Sequence, residues 1–214
     1  MKAKLIIALT IGVLLSGTAL SGAYDNILAA ANNNDNATVL DLIGRGMDVN
    51  TADPAGISLL MMAARNGNLP LLEALLVNRA NPNRLSRHGD SAILLAALGG
   101  HVEAVRLLVK FKAEINPQGW APLHYAVFGG HKAVIEFLLA SGAAVDARAP
   151  NGQTAAMLAA KLGKIDLLKL LVEAKADVGL VDYSNATALS LALAAGNTEA
   201  AEYLQKTASG KAEK

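Results

Sequence analysis

The sequence predicts an all-α solenoid of about six helix-turn-helix units stacked into one domain, and three observations predict it. First, Gly56 and Gly89 stand 33 residues apart, Gly119 and Gly152 stand 33 apart, and Asn185 takes the same place 33 later. A fixed period in the range of roughly 20–50 residues marks a stacked repeat. Second, Ala63-Ala64, Ala96-Ala97, Ala126-Val127 and Ala159-Ala160 recur at one place in the first helix of each unit, where small side chains let helices approach closely. Third, the second helices carry aliphatic residues at spacings of three and four, which is one stripe of a helix.

Along the chain the elements follow in order. Met1-Lys2-Ala3-Lys4 precedes an apolar run from Leu5 to Leu15 and the small residues Ser21-Gly22-Ala23. That is the layout of a secretory signal peptide, with cleavage expected after Ala23. The run is too short for the roughly 20 residues that a membrane-crossing helix needs, so no stable span is expected after cleavage. No cysteine occurs, which excludes a lipid-carrying cysteine at the cleavage site and a disulfide framework in the exported chain.

Residues 24–206 then divide into units of about 24–50, 51–83, 84–116, 117–146, 147–179 and 180–206. Their second helices supply Leu71, Leu72, Leu75 and Leu76; Val105, Leu107, Leu108 and Val109; Val134, Ile135, Leu138 and Leu139; and Leu167, Leu168, Leu171 and Val172. A helix pair this short buries its stripe only against neighbours, so the units form one domain. The polar run Asn32-Asn33-Asn34-Asp35-Asn36 and the last helix from Thr198 to Tyr203 suit the capping ends of a stack. Residues 207–214 show no apolar periodicity and are expected to be a disordered tail.

Charge excludes some partners. Loss of Lys2 and Lys4 from 19 basic residues leaves 17 against 18 acidic ones, a formal charge of −1. No global basic field remains for nucleic acid or an anionic membrane. The mean hydropathy of +0.34 reflects the leader together with alanine and leucine in packed helices.

The run Gly119-Trp120-Ala121-Pro122-Leu123-His124-Tyr125-Ala126-Val127-Phe128-Gly129-Gly130-His131 resembles the G-x-TPLH-x-AA-x-x-GH signature of ankyrin repeats. Met47-Asp48-Val49-Asn50, Ala80-Asn81-Pro82-Asn83, Ala113-Glu114-Ile115-Asn116 and Ala143-Ala144-Val145-Asp146 are similar to that family's A-D-V-N loop segment. The resemblance covers about six units and implies that β-hairpin loops join them. It implies a non-catalytic protein-binding module; small exported bacterial proteins of this kind have been linked with protecting an envelope enzyme or with oxidative-stress defence.

Departures from the signature carry expectations of their own. Ser58, Ser91, Thr154 and Thr187 keep the N-cap hydroxyl, but Met61, Leu94, Met157 and Ser190 stand where the family has histidine, and at His124 the hydroxyl is lost to Ala121. The Thr-His network is thus expected to be broken in every unit, with apolar packing carrying more of the stability. Gly46 and Gly142 keep the glycine after the second helix, whereas Arg79, Lys112 and Lys175 replace it. From Gly89 to Gly119 is only 30 residues, and the three missing ones fall between Asn116 and Gly119, so one hairpin finger is expected to be short.

Catalytic signatures are absent: no GxxxxGK[ST], HExxH or GxSxG occurs, and no cofactor or metal is expected. His101 and His131 belong to the turns, His124 to the signature and His88 to a hairpin. Two imidazoles without a third ligand make a weak metal site. Asn36-Ala37-Thr38 and Asn185-Ala186-Thr187 match the glycosylation tripeptide, which matters only in a eukaryotic secretory pathway.

The resemblance places partner contacts at the finger tips and at the exposed ends of the first helices. Carried over, these are Ile57, Arg65 and Asn66; Asp90, Leu98 and Gly99; Trp120, Phe128 and Gly129; and Gln153, Lys161 and Leu162, with Arg87, His88, Gln118 and Tyr183 at the tips. Trp120, Tyr125 and Phe128 gather aromatics beside the short finger, either as anchors for a partner or as packing between helices. The expected function is a periplasmic, monomeric scaffold for an unidentified protein partner. Small-molecule or metal binding, and delivery as an effector into another cell, are the competing readings.

Overall fold

The computed structural model describes residues 22–212 of the chain. The expected leader falls mostly on residues 1–21, outside the described residues. Twelve helices follow in six pairs: α1 (residues 22–32) and α2 (Asn36–Gly44), α3 (Leu59–Arg65) and α4 (Leu69–Val77), α5 (Ala92–Leu98) and α6 (Val102–Lys110), α7 (Pro122–Gly129) and α8 (Lys132–Ala140), α9 (Ala155–Lys161) and α10 (Ile165–Glu173), α11 (Ala188–Ala194) and α12 (Thr198–Ala212). From α3 onward the first helices pack in a row, α3 on α5, α5 on α7, α7 on α9 and α9 on α11, while the second helices form the layer behind them.

The alanine positions explain how close that row is. Ala63, Ala64, Ala96, Ala97, Ala126, Val127, Ala159 and Ala160 are all fully buried. In α11 the equivalent residue is Leu193, which is 56% exposed because no further unit covers it among the described residues. Behind them Leu71, Leu72, Leu75, Leu76, Val105, Leu108, Val134, Ile135, Leu138, Leu167, Leu168 and Leu171 form a continuous core, with Leu107, Val109, Leu139 and Val172 at its half-buried flank.

The recurring loop asparagine has a clear task. Asn50 Oδ1 accepts from the amide of Asn81, Asn83 Oδ1 from Glu114, Asn116 Oδ1 from Ala144 and Asp146 Oδ1 from Asp177, at 2.8–3.0 Å. Each side chain thus satisfies an amide of the next unit, so the ladder fixes the stacking register as well as adding bonds. A second ladder runs along the turns, where His101 Nε2 bonds the carbonyl of Arg65, His131 Nε2 that of Leu98, and Asn197 Nδ2 donates to those of Ala160 and Lys161. These carbonyls lie at the ends of the first helices, where intrahelical donors run out; that of Ala160 also accepts from the amide of Gly163.

Backbone conformation accounts for the glycine register. Gly56, Gly89, Gly119 and Gly152 have φ between 80° and 88°, and Asn185, in the same place, has φ 60°. Arg79, Lys112 and Lys175 adopt φ 67°, 69° and 73° where the family pattern has glycine after the second helix. A side chain in this left-handed region costs about 1–2 kcal/mol, partly offset by the lower entropy of the unfolded chain relative to glycine. Arg79→Gly, Lys112→Gly and Lys175→Gly are therefore each expected to stabilise the domain by about 0.5–1 kcal/mol, as read from urea unfolding midpoints.

Four sequence expectations need correction. The loops are turns rather than paired strands: the backbone amides of Asp53, Ser86, Ala149 and Asp182 donate to the carbonyls of Ile57, Asp90, Gln153 and Ala186, with isolated bridges only at Ala52–Ser58 and Val181–Thr187 among the described residues. Ser91 makes no cap bond, unlike Ser58, Thr154 and Thr187, and its φ of −116° is more extended than theirs. Helix α12 runs on to Ala212, into the expected tail, with Thr207 Oγ1 donating to the carbonyl of Tyr203 one turn back. Alanine and lysine favour helix without needing an apolar stripe; residues 213–214 lie outside the described residues.

The fourth correction concerns the Thr-His network. In unit four Ala121 N–H donates to His124 Nδ1 at 3.2 Å, and Nε2 reaches the carbonyl of Gln153 in the next unit at 3.2 Å. The imidazole therefore still ties two units together without the hydroxyl. In units two and five Met61 Sδ and Met157 Sδ stand near the amides of Ser58 and Thr154, and in unit six Ser190 Oγ accepts from Thr187, so neighbouring atoms take over the missing contact.

Candidate functional site

The short finger lacks the backbone ties of its neighbours. Arg87 N–H donates to the carbonyl of Ala55, joining the fingers of units two and three, and Tyr183 N–H donates to that of Asn151, joining units five and six. Residues 117–120 make no backbone–backbone hydrogen bond of this kind among the described residues. Three residues fewer are too few to build the turn that closes the other fingers.

Beside that finger Leu98 of α5 and Trp120, His124, Tyr125 and Phe128 of the fourth unit line a recess of about 240 Å³. Trp120 is 39% exposed, Phe128 60% and Leu98 36%, so the walls are presented to solvent, while His124 at 1% forms the floor. The indole stands edge-on to the rings of His124 and Tyr125, at 5.6 and 6.3 Å between centroids. These are favourable aromatic geometries that hold Trp120 upright.

Hydrogen bonds fix the walls from behind. Tyr125 Oη donates to Asp90 Oδ1 at 2.9 Å, linking the fourth unit to the finger of the third. Burial, then the bond to Asp90 and its negative charge, push the Tyr125 hydroxyl up to about 12, so it stays a donor at any physiological pH. Close approach is needed at Gly129, where a Cβ would lie 2.7 Å from the carbonyl of Leu98 and 2.4 Å from the ring of His131. Glycine there lets the two walls meet.

Burial holds the His124 imidazole below its ordinary 6.5, against the opposing effect of its bond to Gln153. With Nδ1 accepting from Ala121, the neutral ring carries its proton on Nε2 and donates to Gln153. A depressed histidine makes the unfolded chain bind more protons than the folded one below about pH 6.5, so stability is complete above that value and falls as pH is lowered through it. Urea unfolding at pH 7 and pH 5 is expected to show a loss in the wild type that shrinks in His124→Leu.

The expected contact residues separate into three groups. Leu98, Trp120, Tyr125 and Phe128 come together in the recess. Arg65, Arg87, His88, Gln118, Lys161, Leu162 and Tyr183 are exposed on the same face or at the tips, with Tyr183 lying against Gly152. Ile57 is half-buried against the core, Asn66 is occupied by the carbonyl of Asn32 and the side chain of Asn34, and Asp90 by Tyr125.

Gln153 is the clear correction. It is only 7% exposed, its Nε2 donates to Asp182 Oδ2 at 3.2 Å and its carbonyl receives His124, so it supports the site from behind. The amides of Ala186 and Ser184 and the Gln153 side chain in turn hold the Asp182 carboxyl below the usual carboxylate range. His124 is the residue that sequence reasoning missed as a lining group; its place one turn before Phe128 was the available signal.

Chemically the site is a small apolar recess with one fully engaged imidazole. At about 240 Å³ it falls below the roughly 300–1,000 Å³ of small-molecule pockets, and suits one or two side chains of a partner. Among the described residues no three histidine, cysteine or acidic side chains gather as metal ligands, and no helix is long and apolar enough to cross a membrane.

Comparison with known proteins places the chain. A family model described as ankyrin repeats matches three times, over residues 27–116, 60–149 and 141–213. Neurogenic locus notch homolog protein 1 of Xenopus tropicalis is 33% identical over 184 residues, and that of Homo sapiens 31% over 183, each covering 77% of this chain. The chain spans only 7% of the length of these relatives. The notch-regulated ankyrin repeat-containing protein of Xenopus laevis is 39% identical over 84 residues, covering 36% of this chain and 74% of that protein.

Proposed function

We propose that this chain, which belongs to the ankyrin-repeat family, is a non-catalytic scaffold that grips a protein partner through the recess beside its short finger. Ankyrin repeats are protein–protein interaction modules. The observation that carries the finer reading is the gathering of Leu98, Trp120, Tyr125 and Phe128 at the one finger that lacks its turn. An aromatic cluster, partly exposed and braced by buried hydrogen bonds, has the character of a binding hot spot.

The compartment we propose is the periplasm, because Lys2 and Lys4 precede the apolar run Leu5–Leu15 and the small residues Ser21-Gly22-Ala23. There the partner would be an envelope protein, and protecting or inhibiting an envelope enzyme, or supporting oxidative-stress defence, are roles a scaffold can fill without chemistry of its own. We propose a monomer, its stack ending in the polar first and last units.

Cross-linking and mass spectrometry on periplasmic extract test this reading. The wild type is expected to capture one partner near one-to-one stoichiometry, and Trp120→Ala/Phe128→Ala to lose it while keeping its circular dichroism. Capture unchanged in the double variant, or repeated absence of any partner, contradicts it.

A further inference from the structure

The end of each first helix adds a pattern to the recess. Arg65, Leu98, Phe128 and Lys161 occupy the same position in α3, α5, α7 and α9, the last one or two residues before each turn glycine pair or its equivalent, and all four are exposed. Read across the stack, the row is cation, apolar, apolar, cation. Arg65 donates to a neutral partner, Asn32 Oδ1, at 2.9 Å. Lys161 lies near enough to the buried Asp182 to contribute a minor favourable charge effect there.

The helices that carry this row hold no acid of their own. The first helices α3, α5, α7, α9 and α11 contain no acidic residue, while the second helices carry Asp41, Glu73, Glu103, Glu136, Asp166 and Glu173. The acids on the fingers are engaged: Asp53 accepts from the amides of Ala55 and Ile57, Asp90 from Tyr125, and Asp182 from Gln153, Ser184 and Ala186. Arg87 adds an exposed cation at the third finger's tip. The ends of α3 and α9 thus present exposed cations on helices that carry no acid, while the nearby finger carboxylates have their oxygens taken up by hydrogen bonds from within the chain.

We infer that the occupant of the recess is a bulky apolar side chain carried on an extended acidic segment of a protein partner, whose carboxylates on either side meet Arg65, Arg87 and Lys161. This rests on the scaffold reading above and names the chemistry of its partner. Packed helices stand about 8–10 Å apart, so three steps from α3 to α9 span about 24–30 Å. An extended strand of about eight or nine residues covers that distance at about 3.3 Å per residue. Apolar contact in the recess supplies the anchor, and the flanking charges supply direction and discrimination against basic segments.

The test is a selection of displayed random twelve-residue peptides on the full chain, followed by binding of the winning peptides to variants. Trp120, the single tryptophan of the chain, reports occupancy by its fluorescence. The expected winners carry one or two bulky apolar residues flanked by aspartate or glutamate, and lose at least tenfold in affinity on Arg65→Glu/Lys161→Glu. Neutral or basic winners, no enrichment at all, or binding indifferent to that charge reversal overturns the inference. Winners that are indifferent to the charge reversal yet fail on Trp120→Ala/Phe128→Ala leave the recess as the site, whereas indifference to both pairs overturns the scaffold reading at this site as well.

Discussion

His124→Leu is expected to destabilise the domain by about 2–4 kcal/mol in urea unfolding at pH 7, although the replacement is apolar and of similar size. The imidazole is 1% exposed and serves two buried backbone groups, the amide of Ala121 and the carbonyl of Gln153. Leucine serves neither. An orphaned buried polar group costs about 1–3 kcal/mol, and the better burial of leucine offsets part of the sum. A loss below about 1 kcal/mol would show that packing alone holds units four and five together, as the incomplete Thr-His pattern suggests at first sight. Because His124 also floors the recess, the same variant is expected to change the fluorescence of Trp120, its edge-on neighbour.

The architecture is legible in the sequence because its punctuation has a local cause. Glycine at 56, 89, 119 and 152 is demanded by positive φ, and Asn185 substitutes because asparagine tolerates that region better than most residues. The cations at 79, 112 and 175 are the informative failures of the rule, since they take the same backbone at a cost. The alanine pairs are likewise legible, as each is fully buried between first helices.

The short finger is legible by counting residues, and with it the neighbourhood of Trp120 and Phe128. What that finger does is less so. Whether a side chain is presented or consumed depends on the adjoining unit, which the pattern within one unit does not encode. Gln153 reads as a surface residue after a loop glycine, yet Asp182 from the next finger engages it and the stack buries it. Asp90 reads as an exposed acid, yet Tyr125 from the next unit takes its carboxylate. The loop asparagines show the same limit: their recurrence is visible at 50, 83 and 116, but the amides they serve lie about one repeat away.

On the proposed reading the three missing residues leave the recess accessible, and filling them in has the second large effect. Inserting three residues between Pro117 and Gln118, copied as Arg84-Leu85-Ser86 from the third unit, restores the spacing of the full-length fingers. The rebuilt turn is expected to stand over the recess, and to reduce partner affinity by a factor of ten or more, about 1.4 kcal/mol or above. The fold is expected to be retained, because the Asn116 ladder bonds and the His124 bonds lie outside the insertion point. Neither Trp120 nor Phe128 is altered chemically, so a loss of binding would report access to the recess and nothing else about its walls.

The affinity of that insertion variant for the partner isolated by cross-linking, measured beside the wild type by isothermal calorimetry at equal folded fraction, decides whether the recess beside the short finger holds the partner. A loss of tenfold or more with unchanged thermal stability is the predicted result; equal affinity in a folded variant would contradict the recess beside the short finger as the binding site.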